Sequence, residues 1–348
     1  MRRVSPISLL FILLLALSGC SNTGRSQETI PDDYTIGVVR TIGYKNSSDI
    51  LYFDDELNQT GITHYDYATM GELFYSPIVY DGSLYIVPQG QANKKDEKTV
   101  LQLDLDSFEQ QEYSLDQIAI YGLSVNSSAI FAANNINQQS FISRIDRTNE
   151  TVKTATYNDL YISIVCSYQD KLYAFSSEST PSGIKSTLHC LDPITLEELQ
   201  RIDISEFGSG VYSVVGVGNV LYFVPSVTPQ DTFNHIVCAY NTSSEEIRTI
   251  EFPYNVFHVL NADNKLYVTH GNLVTGEGTA LSVFEIETEK MDTYDLGMWP
   301  GQIAINDKAL YVMGTDTVAK FDLQTMDRQA EASIPLNDGY YLSSLFSK

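Results

Sequence analysis

Apolar and polar positions alternate in short runs along this chain, and one run returns at intervals of about 45 residues. It consists of a turn residue or two, an apolar residue, an aromatic and further β-formers. It reads Gly82-Ser83-Leu84-Tyr85-Ile86-Val87, then Ser128-Ala129-Ile130-Phe131-Ala132, then Asp170-Lys171-Leu172-Tyr173-Ala174-Phe175. It returns as Asn219-Val220-Leu221-Tyr222-Phe223-Val224, Asn264-Lys265-Leu266-Tyr267-Val268 and Asp307-Lys308-Ala309-Leu310-Tyr311-Val312. Self-similarity at this period means one supersecondary unit stacked several times.

Each copy is followed by a second β-like run that closes on a short polar residue. Examples are Val100-Leu101-Gln102-Leu103-Asp104, Thr187-Leu188-His189-Cys190-Leu191-Asp192 and Val318-Ala319-Lys320-Phe321-Asp322. Ser, Thr or Asn stands three residues after that position: Ser107, Asn149, Thr195, Ser244, Thr288, Thr325. Short polar side chains bond backbone N–H groups two residues on and so fix turns, which makes these acids turn residues. One more run precedes and one follows each pair, giving four short strands per unit, and helical periodicity is nearly absent.

Four-stranded units of this length describe propeller blades. Six complete units span about Leu73 to Pro335. Thr35 to Ile42, Asp49 to Asp54 and Gly61 to Tyr67 read as three N-terminal strands, and Tyr340 to Phe346 as one C-terminal strand. Together they make a seventh blade whose closure removes exposed edges. The expectation is an all-β, seven-bladed propeller of antiparallel blades over residues 34–348, with six or eight blades as alternatives. The Leu-Tyr and Phe-Asp-x-x-Thr style resembles YVTN-type and quinoprotein-like β-propellers, a resemblance specific for fold and poor for function. Quinoprotein dehydrogenases carry vicinal cysteines, and none stand here. Lactonase-like propellers hold a metal on acids and Asn, and no such set can be matched.

The N-terminus carries a different pattern. Arg2 and Arg3 precede an apolar stretch, Ile7 to Leu17, too short to span a bilayer. Leu17-Ser18-Gly19-Cys20 follows and resembles the lipobox of bacterial lipoproteins. The resemblance implies removal of residues 1–19, lipidation of Cys20 and anchoring on the extracytoplasmic face of a membrane. Two acyl chains anchor stably where one is marginal. Residues 20–33 are polar and read as a flexible tether, and thirteen extended residues reach about 45 Å.

Composition narrows the partners. The chain has 348 residues, 43% of them hydrophobic, with 23 tyrosines and a formal charge of −23. Loss of Arg2 and Arg3 with the leader makes the body more acidic still. An acidic chain without a basic stripe excludes nucleic acid as an expected partner. Cys166, Cys190 and Cys238 lie in strand-like runs without CxxC spacing, which reads as buried thiols; a single Cys190–Cys238 bridge is the alternative. No metal-ligand spacing links the five histidines, and no cofactor motif is present.

Aromatics recur at the start of each expected innermost strand. Tyr75, Tyr121, Tyr212 and Phe257 stand ten residues before the aromatic of the repeated phrase, and Tyr161 and Trp299 twelve before; Tyr340 or Tyr341 completes the set. Strand parity puts ten and twelve on one face. The expectation is an aromatic ring at one mouth of the channel. It either fills space between blades or forms a stacking platform, with His258, Gln302 and Ser76 as polar neighbours. Two functions follow. One is a lipid-anchored binding or scaffolding protein for a small molecule, glycan, peptide or protein. The other is a propeller enzyme, such as a lyase, lactonase or hydrolase, with its site at the channel mouth.

Overall fold

The computed structural model describes residues 31, 33–91, 97–272 and 275–348. Their strands form seven four-stranded antiparallel sheets, each running from channel to rim. Blade 1 is built from both ends of the chain. Its innermost strand is Tyr341–Ser347, followed outward by Ile36–Thr41, Ser48–Phe53 and Gln59–Tyr65. Blades 2 to 7 cover 78–114, 120–158, 161–203, 209–251, 256–295 and 302–333 in chain order. Seven blades, and the three-plus-one closure, are as expected from the repeat.

Buried side chains fall into seven clusters, one between each neighbouring pair of blades. This division explains the repeated phrase. It occupies the second strand of blades 2 to 7, and consecutive strand residues face opposite sides. Leu84, Leu172, Leu221, Leu266 and Leu310 pack toward the preceding blade. Tyr85, Tyr173, Tyr222, Tyr267 and Tyr311, with Phe131 in blade 3, pack toward the following one. Each dipeptide thus joins three blades. Cys190 and Cys238 are buried free thiols in the layer between blades 4 and 5, with Cys166 packed beside them.

The turn acceptors behave alike in five blades, Asp104, Asp146, Asp192, Asn241 and Asp322, whereas Glu285 in blade 6 accepts from Thr288 Oγ1 at 2.8 Å. The Asp104 carboxylate accepts from the N–H groups of Asp106 at 3.0 Å and Ser107 at 2.7 Å. Asp192 accepts from Ile194 at 2.8 Å and Thr195 at 2.6 Å, and Asp322 from Gln324 and Thr325 at 2.8 and 2.9 Å. Asn241 does the same in blade 5, so the turn requires an acceptor rather than a charge. Four residues past each acid the backbone turns left-handed at Phe108, Glu150, Leu196, Glu245, Glu289 and Met326.

Antiparallel pairing divides these connections between two faces. Turns joining first to second and third to fourth strands form a turn face. Links between blades, and hairpins joining second to third strands, form a mouth face. The chain enters blade 1 on the turn face: Thr35 N–H donates to Phe53 C=O at 2.8 Å, and Tyr34 Oη donates to Leu105 C=O at 2.9 Å. On the mouth side the closure is held by polar contacts. Buried Asp49 accepts from Arg40 Nε at 2.8 Å and contacts His64 Nδ1 at 2.9 Å. Arg40 also reaches Pro335 C=O at 3.0 Å and lies 5.2 Å over the Tyr340 ring. That contact ties the N-terminal strands to the link that leads into the last one.

Candidate functional site

The channel is capped by the chain itself. The link from blade 1 to blade 2, residues 66–77, runs across the mouth rather than around it. Met70 N–H donates to Thr41 Oγ1 at 3.0 Å, and Gly71 N–H to Val87 C=O at 2.9 Å. Gly71 has φ +77°, and a Cβ there would collide with Ser344 Oγ on the innermost strand of blade 1. Glycine is therefore required where the link dives toward the channel.

Beyond Gly71 the link touches blades on every side. Gln302 Nε2 of blade 7 donates to Glu72 C=O at 2.7 Å, and its Oε1 accepts from Leu345 N–H at 3.0 Å. His258 Nε2 of blade 6 donates to Phe74 C=O at 3.1 Å. The Phe74 ring lies 5.5 Å from Tyr212 and 6.4 Å from Phe257. The Tyr75 ring lies 5.9 Å from Tyr212 and 6.4 Å from Tyr121, which in turn is 6.5 Å from Tyr161. Six aromatics from blades 3 to 6 and the link thus form one continuous cluster. A cavity of about 20 Å³ persists beneath it, roughly the room of one water, beside Glu72, Tyr75, Gln89 and Ser344.

Five expected ring members, Tyr75, Tyr121, Tyr161, Tyr212 and Phe257, are brought together. The means differs from parity. The innermost strands of blades 3, 5 and 6 carry register shifts between Ile120 and Leu123, Val211 and Ser213, and Val256 and His258. Tyr121, Tyr212 and Phe257 sit on these bulges, which re-aim side chains. Trp299 and Tyr341 lie apart from the cluster. Trp299 wedges against Gly271 and Gly301, where a Cβ on either glycine would meet its indole. Tyr341 is 38% exposed. His258 and Gln302, expected beside a ligand, hold the crossing link by its carbonyls, and Ser76 is exposed at the link's end.

Burial sets the electrostatics. Desolvation holds the His258 imidazole down to about 4, so it is neutral and donates from Nε2. Burial pushes the Glu72 carboxyl above its usual range, against bonds from the Phe74 and Leu73 N–H groups. It raises the Tyr75 hydroxyl and lifts Tyr161 to about 12. The Tyr75 and Tyr161 hydroxyls are therefore neutral at any physiological pH.

The cluster opens sideways into a groove of about 570 Å³ between blades 3 and 4. Tyr121 and Tyr161 form its inner wall, and Tyr161 is 37% exposed. The hairpin Asn135–Ser140 forms the outer wall, with Asp159, Leu160, Ser177 and Ser179 completing it. Its floor is fixed: Asn135 Nδ2 donates to Ile162 C=O at 2.8 Å, and Asn135 Oδ1 accepts from Ile162 N–H at 2.9 Å. Ser140 Oγ donates to Leu160 C=O at 2.6 Å. Asn137 and Gln138 turn the hairpin at positive φ and are exposed. Phe74 and the amide-rich hairpin escaped the sequence reading. The run Asn134-Asn135-Ile136-Asn137-Gln138-Gln139, five amides in six residues, was the visible signal.

A second groove of similar size lies between blades 5 and 6, lined by His235, Tyr254, His270 and Asp295 among others. His270 is committed there: Nδ1 contacts Asn255 C=O at 3.1 Å and Nε2 contacts Ser282 Oγ at 2.7 Å. Among the described residues no three His, Cys, Asp or Glu side chains converge as a metal site.

Solved structures share the architecture. A protein of unknown function from Desulfotomaculum acetoxidans superposes with a TM-score of 0.59 at 10% identity, covering 88% of this chain and 99% of that one. The dihydro-heme d1 dehydrogenase NirN superposes at 0.57 and 9% identity, over 94% and 78%. Apo AztD from Citrobacter koseri does so at 0.55 and 10%, over 91% and 98%. At such identities the likeness is one of fold: this chain is built as those propellers are. No protein-family model matches the chain, and no curated protein matches it in sequence.

Proposed function

We propose that this protein is a lipid-anchored binding protein on the extracytoplasmic face of a bacterial membrane, and that it recognises its partner with the mouth face of the propeller. One observation carries the reading. The exposed large aromatics among the described residues are Tyr44, Phe74, Tyr161, Phe233, Tyr254 and Tyr341, and all six lie on the mouth face. Aromatics in binding surfaces supply large contact area at low entropic cost. The exposed residues Ile194 and Leu199 beyond the mouth face are aliphatic and scattered.

Chain direction supports the orientation. Cys20 lies outside the described residues, but the chain enters the body on the turn face. A lipid on Cys20 tethers that face toward the bilayer and points the aromatic face away from it. The carboxylates of the turns then face anionic headgroups and are repelled, which holds the body at the reach of its tether. The alternative, an enzyme with its site at the channel mouth, has the half-buried Glu72, its carboxyl raised by desolvation, as its favourable feature.

Two measurements test the reading. Cys20→Ala is expected to move the protein from membranes to the soluble fraction. Photo-crosslinking side chains in place of Tyr44, Tyr161 and Tyr254 are expected to capture envelope partners, and those in place of Ile194 and Leu199 to capture none. Crosslinks confined to the turn face would overturn the proposal.

A further inference from the structure

We infer that the groove between blades 3 and 4 binds a neutral oligosaccharide, stacked on Tyr161 and held by the amides of the Asn135–Ser140 hairpin. This rests on the reading of the mouth face as a binding surface and names the chemistry of its ligand.

The inference starts from what lines the groove. Its polar side chains are amides and hydroxyls, Asn137, Gln138, Gln139, Ser177 and Ser179, above an Asn135 already bonded to blade 4. Each amide offers donors and an acceptor, and each hydroxyl does both. Sugar hydroxyls also donate and accept, so such a lining can satisfy them all round. Asp159 is the one charged group, and no Lys or Arg contributes. An anionic ligand would therefore enter an acidic body without a counter-charge.

Shape and backbone pairing narrow the choice further. The Tyr121 and Tyr161 rings are tilted 51° to one another at 6.5 Å, and Tyr161 stays 37% exposed where it lines the groove. A partly exposed ring in a groove wall suits stacking against the C–H face of a pyranose. An extended peptide would need an unpaired strand edge. The hairpin offers none, because Gln139 pairs with Ile136 on one side and Asn158 on the other. The floor is preorganised by the Asn135 and Ser140 bonds to blade 4, so little side-chain freedom is lost on binding. At about 570 Å³ the groove lies within the ordinary range for small-ligand sites, roughly 300–1,000 Å³.

The test is titration calorimetry on the full chain in a detergent without a sugar headgroup. The probes are cellotetraose, maltotetraose, mannotetraose, xylotetraose and chitotetraose, with tetragalacturonate and tetralysine as charged controls. At least one neutral probe is expected to bind. Tyr161→Ala should weaken it about tenfold or more, while Tyr161→Phe keeps it and Gln138→Ala weakens it less. Ile194→Ala on the turn face is expected to leave binding unchanged, and melting curves confirm that each variant is folded. Neutral binding indifferent to Tyr161→Ala overturns the assignment to this groove. Binding of tetralysine alone, lost in Tyr161→Ala, overturns the sugar and leaves the binding face standing. Silence from every probe overturns the sugar; the binding face falls with it only if crosslinks are absent from the mouth face as well.

Discussion

The two faces of this propeller are made by the same blades yet obey different rules. On the turn face each blade solves its connection alone, in five of the seven with one acceptor side chain bonding N–H groups two and three residues on. On the mouth face the capping link is held from afar. His258 holds a carbonyl 184 residues away in sequence, and Gln302 one 230 away. The turn face is redundant and the mouth face cooperative. Damage to one turn should stay in its blade, whereas damage to the capping link should reach the blades that hold it.

The largest expected effect is therefore at Gln302. Gln302→Leu strands the Glu72 carbonyl and the Leu345 N–H in a buried site, and each such orphan costs about 1–3 kcal/mol. A loss of roughly 2–6 kcal/mol in chemical denaturation is expected; a change within error would mean the link is not held cooperatively.

Next comes acid sensitivity. His258 and His270 are held down to about 4, below their usual value near 6.5. The unfolded chain takes up these protons first, so their contribution is full above about pH 6.5 and falls away as pH drops toward 4. Each supplies up to about 3 kcal/mol of this loss. Denaturation midpoints measured from pH 7 to 4 should show the slope, and His258→Asn should flatten it. An unchanged slope in that variant would remove His258 from the account.

Single turns should matter less. Hydrogen bonds from backbone N–H groups hold the Asp192 and Asp322 carboxylates below their usual range, so they stabilise above about pH 4 and lose this as pH falls further. Asp192→Ala is expected to lower the melting temperature slightly. Asp192→Asn should not, because Asn241 already does this work in blade 5. A large loss in Asp192→Asn would show that charge, not acceptance, drives the turn.

The smallest effect on stability is expected at Tyr161. Being 37% exposed, it should change folding by about 1 kcal/mol or less when replaced by Ala, while weakening ligand binding in the groove about tenfold or more. Global destabilisation instead would make Tyr161 a packing residue.

Legibility in the sequence followed the same division. Leu-Tyr dipeptides, turn acids and split terminal strands announced seven blades, because each repeats a local rule at a fixed interval. The aromatic positions Tyr75, Tyr121, Tyr161, Tyr212 and Phe257 were also visible from spacing. Their convergence was not a matter of parity, since bulges at Tyr121, Tyr212 and Phe257 break it. Trp299 kept the same spacing and went elsewhere, drawn into the gap that Gly271 and Gly301 leave between blades 6 and 7.

By itself, then, the amino-acid sequence determined the blade: strand alternation, the acceptor at each turn and the dipeptide that faces both neighbours are interactions within a few residues or between successive repeats. Only the tertiary structure decided what happens at the mouth. Closing seven blades leaves a channel that no single repeat can fill. The link of residues 66–77 fills it through contacts up to 273 residues apart, and so leaves Tyr161 and the amide hairpin beside it as an open groove.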